Sequence, residues 1–159
     1  MYICRNFKLE ELVGPEVFKS AKGNINLWKC FDVRLLVSID LLRDFLKTPV
    51  KINDWTTGGN FKESGLRSVD TSTGAEFSSH KFGRAADLKF GGDWSPQRLR
   101  TYMKMIGCFE DGFLKRTDDE VKPFLNIRRI EWLSDTQSWL HIDCFEEELH
   151  PSCIRIIRG

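Results

Sequence analysis

The chain has 159 residues, of which 41% are hydrophobic and 30% charged, and its formal net charge is +1. This length and composition are typical of one globular domain with a sizeable core, and we expect a monomer. The small net charge argues against strong binding to nucleic acid or anionic membranes, and no apolar run is long enough to span a bilayer. The N-terminus shows no signal peptide, so we expect synthesis in a cytoplasm.

Helical patterns dominate the first third of the chain. Residues 7–13 and 16–21 predict two short helices, with a break at Gly14-Pro15 between them. Residues 28–47 show the strongest helical periodicity, because apolar residues recur there at intervals of three and four. We expect this segment to be the main helix packed behind a sheet, ending before Pro49.

The rest of the chain shows one more helix and several strands. The helix starts at Ser95-Pro96 and runs to about Ile106. The predicted strands are 50–55, 87–90, 127–133 and 138–144, with 153–158 as a possible edge strand. The strands at 127–133 and 138–144 form a hairpin around residues 134–137. Together these elements predict a single-domain α+β fold, with helices packed on a small antiparallel sheet.

The five cysteines, at positions 4, 30, 108, 144 and 153, indicate neither a disulfide framework nor a thiolate metal site. Their number is odd, and no two of them form a Cys-x-x-Cys pair. Cys144 follows a predicted strand and is a conceivable nucleophile, but a buried structural cysteine is far commoner.

Two potential metal ligands, His80 and Asp87, stand seven positions apart with small residues between them. Seven positions exceed one helical turn, so the spacing suits a loop that presents His80, turns at Gly83 and enters a strand or short helix carrying Asp87. Small residues here would let the backbone pass close behind a metal ion.

A second stretch, residues 139–143, adds a third ligand. Alternation along a strand places Trp139, His141 and Asp143 on one face. His80, Asp87 and His141 would supply two imidazoles and a carboxylate, which suits zinc with a fourth position open for water. A histidine near aromatic residues is more often structural than a ligand, so this set by itself is a weak signal.

The complete pattern is Ser-x-His-x-x-Gly-x-Ala-x-Asp at 78–87, followed by Trp-x-His-x-Asp at 139–143. It resembles the zinc D-Ala-D-Ala carboxypeptidases and L-alanyl-D-glutamate endopeptidases, which cut peptidoglycan stem peptides and share the hedgehog fold. The similarity is most convincing over residues 51–144 and is closest to small phage-type members. It implies one zinc peptidase domain over residues 1–159, with the metal held by His80, Asp87 and His141, acting on cell wall after release.

The resemblance also implies residues that bind substrate. In the family, a Ser-Gly-x-Arg element like residues 64–67 brings an arginine to the active site. Arg67 would therefore bind the substrate carboxylate or polarise the scissile carbonyl, and Ser78 would help to hold the peptide. A solvated surface arginine is the alternative reading of Arg67.

The chain departs from the family at the general base. Better-known members place a catalytic Glu three residues before the last ligand histidine, where this chain has Ser138. Two nearby acids remain as candidates: Glu131, expected across the hairpin from His141, and Asp135, in the turn at a spacing where the hedgehog domain has an acid. We favour Glu131 because it lies on a strand and is longer, although a register change of one residue would turn it away.

Two further roles stay open. Asp143 is a third candidate acid, but the role we favour for it is to orient His141 or His80 from behind.

Because Ser138 replaces the usual base, the alternative function is a non-catalytic zinc module that binds cell wall or sits in a virion. A metal-free interaction domain is a weaker alternative, since all three ligands are present.

Overall fold

The computed structural model describes residues 1–106, 108, 122–124, 126–132, 134–145 and 154–157, and it has a mixed α+β architecture. The α-helices in these ranges are α1 (Leu9–Leu12), α2 (Pro15–Ser20), α3 (Val33–Leu46) and α4 (Pro96–Met105). Short 3-10 helices span Ile25–Cys30, Trp55–Thr57, Ser79–Phe82 and Lys122–Phe124. The strands are β1 (Val50–Lys51), β2 (Ala85–Phe90), β3 (Arg129–Glu131), β4 (Leu140–Asp143) and β5 (Arg155–Ile157).

The strands form one sheet in the order β1-β2-β4-β3-β5. The pairs β1–β2, β2–β4 and β4–β3 are antiparallel, whereas β5 pairs with β3 in parallel. The predicted α+β class is confirmed, and so are the β3–β4 hairpin and a last strand at the sheet edge. The parallel β5 was not expected from the sequence.

One face of the central strands belongs to the apolar core. Alternation along β2 and β4 sends Ala86 and Leu88, and Leu140 and Ile142, to this face. The same buried cluster contains the apolar side of α3, including Leu35, Ile39 and Leu42. The other face of the same strands is therefore left for polar side chains.

The main helix begins later than predicted, at Val33 rather than at residue 28. The side chain of Asp32 accepts a hydrogen bond from the Arg34 N–H and caps the helix there. Residues 25–30 form a separate 3-10 helix, with its own cap at Asn24. Continuous apolar periodicity concealed this interruption, because buried Trp28 and Phe31 fit the pattern in either conformation.

The strand predicted over residues 50–55 was wrong beyond Lys51, because Asn53 bonds to other segments instead of to a neighbouring strand. The Asn53 backbone N–H donates to Glu11 O at 2.9 Å, and its side chain donates to Val13 O and accepts from the Ser64 N–H. The chain then turns into the 3-10 helix at Trp55–Thr57.

The other predicted boundaries are close to the observed ones. The helix start at Ser95 is confirmed, since its side chain accepts a hydrogen bond from the Arg98 N–H. His150, expected not to be a ligand, and the charged run 115–120 lie outside the described residues. No helix in the described ranges combines the length and apolar character needed to cross a bilayer.

Gly83 is required by a close contact with the backbone of residues 30–31. A Cβ at Gly83 would lie 2.0 Å from the carbonyl oxygen of Cys30, and the residue has a φ of +62°. Its carbonyl accepts a hydrogen bond from the Asp32 N–H at 2.9 Å. The turn after the 3-10 helix of His80 is thereby fixed to the start of α3.

We expect Gly83→Ala to destabilise the protein by about 2–5 kcal/mol, because backbone strain and overpacking add there. Gly58→Ala is the matched control: Gly58 also has positive φ, at +83°, but a Cβ there would meet nothing within 4 Å. The control should cost only about 1–2 kcal/mol. Denaturant unfolding of both variants measures the free energy of unfolding. Equal losses in the two variants would show that the contact with Cys30 adds no cost.

Candidate metal centre

A row of three polar side chains crosses the face of the sheet opposite the core. Asp87 on β2 is the direct cross-strand partner of His141 on β4. The pairs Arg129–Asp143 and Ile130–Ile142 set the β3–β4 register, which places Glu131 on the other side of His141. This cross-strand position of Glu131 relative to His141 is the one predicted from the sequence.

His80 reaches the same face from the 3-10 helix Ser79–Phe82. Its Nδ1 lies 2.9 Å from the carbonyl oxygen of Gly65. A carbonyl only accepts, so His80 Nδ1 carries the hydrogen and Nε2 keeps a lone pair directed at the site. Gly65 is held in turn by close packing, since a Cβ there would lie 2.1 Å from Leu12 O.

Three potential donor atoms converge in a small, buried space. His80 Nε2 lies 3.3 Å from both His141 Nδ1 and Asp87 Oδ1, and His141 Nδ1 lies 2.9 Å from Asp87 Oδ1. A metal bound at ~2.0–2.1 Å with tetrahedral angles needs donors roughly 3.3 Å apart. The observed spacing fits such an ion, and this group could hold a metal.

The outer nitrogen of His141 is also occupied. Its Nε2 lies 3.4 Å from Asp143 Oδ2, and a carboxylate accepts the hydrogen of that nitrogen. In their neutral forms the two histidines therefore direct lone pairs, and Asp87 a carboxylate oxygen, toward one point. Three converging acceptors repel one another unless a cation or a proton lies between them.

The pKa values of His141 and Asp87 are shifted in the directions that this need for positive charge predicts. Burial alone would lower the pKa of His141, but hydrogen bonds to Asp143 and Asp87 raise it to about 9. Burial alone would raise the pKa of Asp87, but the hydrogen bond from protonated His141 and the proximity of both imidazoles bring it well below its ordinary value. Burial lowers the pKa of His80, which favours the neutral imidazole that metal binding requires.

Arg129 joins the two elements that carry the histidines. Its Nε donates to Asp143 Oδ1 at 2.9 Å, and its Nη2 donates to Ser79 Oγ, also at 2.9 Å. Asp143 is fully buried and orients His141, which is the role favoured for it from the sequence. Ser79 directly precedes His80, so the bond from Arg129 also holds the segment that carries His80. Arg129 itself was not anticipated, because an arginine on a short strand reads as a solvated charge.

Arg67 lies beside the donor atoms rather than on the open surface. Its Nη2 is 3.4 Å from Asp87 Oδ2, and its Nε donates to Glu63 O at 2.5 Å. The carboxylate of Glu63 accepts hydrogen bonds from the hydroxyls of Thr71 and Thr73. Glu63 thus connects Arg67 to the polar loop that covers one side of the site, and no sequence pattern had indicated it.

The donor atoms open into a cleft of about 350 Å³. Arg67, Ser78 and Glu131 line this cleft together with the three potential ligands, and so do Phe77 and Trp139. Glu131 Oε1 lies 3.9 Å from His141 Nδ1.

The structure does not bring Asp135 into the cleft. It is exposed in the turn between β3 and β4, where its Oδ1 accepts from Ser134 Oγ at 3.0 Å. Ser138, at the position of the family's usual base, is also exposed and does not line the cleft. Of the two candidate bases, only Glu131 is near the donor atoms.

Cys144 does not have the surroundings of a nucleophile. It is buried, and burial raises the pKa of its thiol to about 12. The described cysteines, at 4, 30, 108 and 144, form no disulfide with one another.

No family model, curated protein or solved structure matches this chain.

Metal affinity should increase with pH, because a metal must displace the proton that His141 holds in the metal-free protein. The pKa of His141 is about 9. We expect the apparent affinity for Zn²⁺ to rise about tenfold per pH unit from about pH 6.5 to about pH 8.5. Competition with a chelator of known affinity measures this slope. An affinity that does not change with pH would show that His141 holds no proton in the metal-free protein.

The Asp143–Arg129 pair should contribute to metal affinity without touching the ion. Asp143→Asn and Arg129→Met should each weaken Zn²⁺ binding about 10- to 100-fold, because the orientation of His141 is lost. Arg128→Met is the matched control on the preceding residue, which does not line the cleft. Equal affinity in all three variants would show that the pair does not support the site.

Proposed function

We propose that the protein is a zinc-dependent peptidase that hydrolyses peptide bonds in peptidoglycan stem peptides. The observation that carries the proposal is the convergence of three buried acceptor atoms, 2.9–3.3 Å apart, on a cleft that also contains an acid and an arginine. The pattern at 78–87 and 139–143 supports the choice of this reaction and substrate.

His80, Asp87 and His141 would hold the zinc ion. Two imidazoles and one carboxylate are a donor set that zinc accepts, and they leave a position open. Bound zinc would supply Lewis acidity, which polarises a carbonyl group and makes water more acidic.

Glu131 is the residue that would move the proton. Its carboxylate lies across the strand from His141, and its side chain is only 19% exposed, so it is fixed at the cleft. It would accept a proton from water at Oε1 and pass it to the leaving amine. In the whole reaction the carbon–nitrogen bond breaks, the water oxygen joins the acyl carbon, and the nitrogen gains the proton.

Arg67 and Ser78 would position the peptide. The guanidinium of Arg67 is held by Asp87 and by Glu63 O, so its orientation is set before substrate binds. Its remaining N–H groups are suited to a carboxylate or a carbonyl oxygen of the substrate. Ser78, which also lines the cleft, adds a hydroxyl.

The setting of such an enzyme would be the bacterial cell wall. The family pattern favours a phage lysin or a wall-remodelling enzyme that is made in the cytoplasm and acts after release. Zinc is proposed over other metals because imidazole nitrogen with one carboxylate suits it and because the pattern resembles zinc enzymes.

The second candidate function is a non-catalytic zinc module that binds cell wall or forms part of a virion. The observation that favours it is the exposed Ser138, which leaves the usual position of the base without an acid. Glu131 in the cleft argues for catalysis instead, and its substitution separates the two functions.

Glu131→Gln should lower the hydrolysis of purified peptidoglycan about 100- to 10,000-fold while zinc content stays at the wild-type level. The amide keeps the size of the side chain but cannot accept the proton. Asp135→Asn is the control and should keep wild-type activity. Turbidity loss and zinc content are measured on the same preparations.

His80→Ala should lose both zinc and activity while remaining folded. A His80→Ala variant with wild-type rates would refute the metal assignment. Zinc bound by a wild-type protein that hydrolyses no stem-peptide substrate would favour the non-catalytic module.

A further inference from the structure

The cleft above the donor atoms continues into a second pocket. This neighbouring pocket has a volume of about 390 Å³. Arg67, Asp87 and Trp139 line both spaces, so the two form one groove with the proposed zinc ligands in its floor. Either space by itself is within the usual range for a ligand pocket, and together they exceed what a single terminal residue needs.

The wall of the second pocket is an aromatic ring that a buried cation holds in place. The Phe61 ring is 40% exposed and lies 4.5 Å above Lys89 Nζ. That ammonium donates to Ile52 O, to Asp87 O and to Ser64 Oγ, so its three hydrogens are all used inside the protein. What this wall offers a ligand is therefore the outer face of Phe61.

The position of Arg67 bears on which part of a substrate binds. A site for a free C-terminal carboxylate ends at a cation that closes the pocket. Here Arg67 lines both spaces and pairs with Asp87, and the second space has further lining residues such as Phe61 that the first does not share. Lys62 lies further along but is exposed, where its charge is screened by solvent.

We infer that the groove binds peptide residues on both sides of the cleaved bond, with Phe61 and Trp139 as the surface for residues beyond Arg67. The inference rests on the proposed peptidase function and deepens it: the enzyme cuts internal bonds and is an endopeptidase rather than a carboxypeptidase. Phe61 is then a specificity-determining residue that contacts substrate at a distance from the reacting bond.

The test compares two substrates of the zinc-loaded enzyme. Both are the same stem pentapeptide, one with an amidated and the other with a free C-terminus. We expect cleavage of both at the same internal bond, identified by mass spectrometry, with kcat/KM values within about tenfold of each other.

Phe61→Ala should raise KM for the pentapeptide about tenfold with little change in kcat or zinc content, because only remote binding is lost. Phe61→Leu should restore most of the loss. Phe82→Ala is the matched control, since Phe82 is 52% exposed and lines neither space.

The outcomes separate the two claims. Release of only the C-terminal residue from the free form, with no cleavage of the amidated form, would overturn the inference and leave the peptidase function intact. An unchanged KM in Phe61→Ala would remove the proposed subsite. No cleavage of either substrate by zinc-loaded protein would overturn both the function and the inference.

Discussion

A carboxylate that is buried away from water must be surrounded by hydrogen-bond donors or positive charge, or it costs several kcal/mol. Asp87 is only 8% exposed; Arg67 and the protonated His141 meet this requirement in the metal-free protein, and a cation shared with His80 and His141 would also meet it. These partners come from a 3-10 helix, a neighbouring strand and a loop. The local structure of each is therefore tied to the charge of one side chain, which makes Asp87 the organising residue of the site.

The convergence of His80, Asp87 and His141 could be predicted because it depends on rare residues and on the simple geometry of strands. The chain has three histidines, and alternation alone decides that His141 and Asp143 share a face. The position of Glu131 needed one more fact, the hairpin register, which the apolar positions Ile130 and Ile142 restrict to one choice of face. The catalytic role of Glu131 remains a prediction.

The remainder could not be predicted because it depends on contacts between distant segments. Asn53 ends a strand by bonding to Glu11, Val13 and Ser64, and nothing within its own neighbourhood in sequence indicates those partners. From the sequence alone Arg129 is interpreted as a surface charge, and only the folded structure places buried Asp143 beside it. The late start of α3 likewise depends on a single capping side chain, which apolar periodicity does not detect.

The alternation of core and cleft residues along β2 and β4 also determines which length changes the chain tolerates. Inserting or deleting one residue within β4 would turn His141 toward the core and Ile142 toward the cleft, so the metal site and the core would fail together. The loop of residues 68–77 has no strand partner to keep in register. Homologous chains should therefore differ in length at that loop, and the reach of the groove over its substrate can change there without disturbing the ligands.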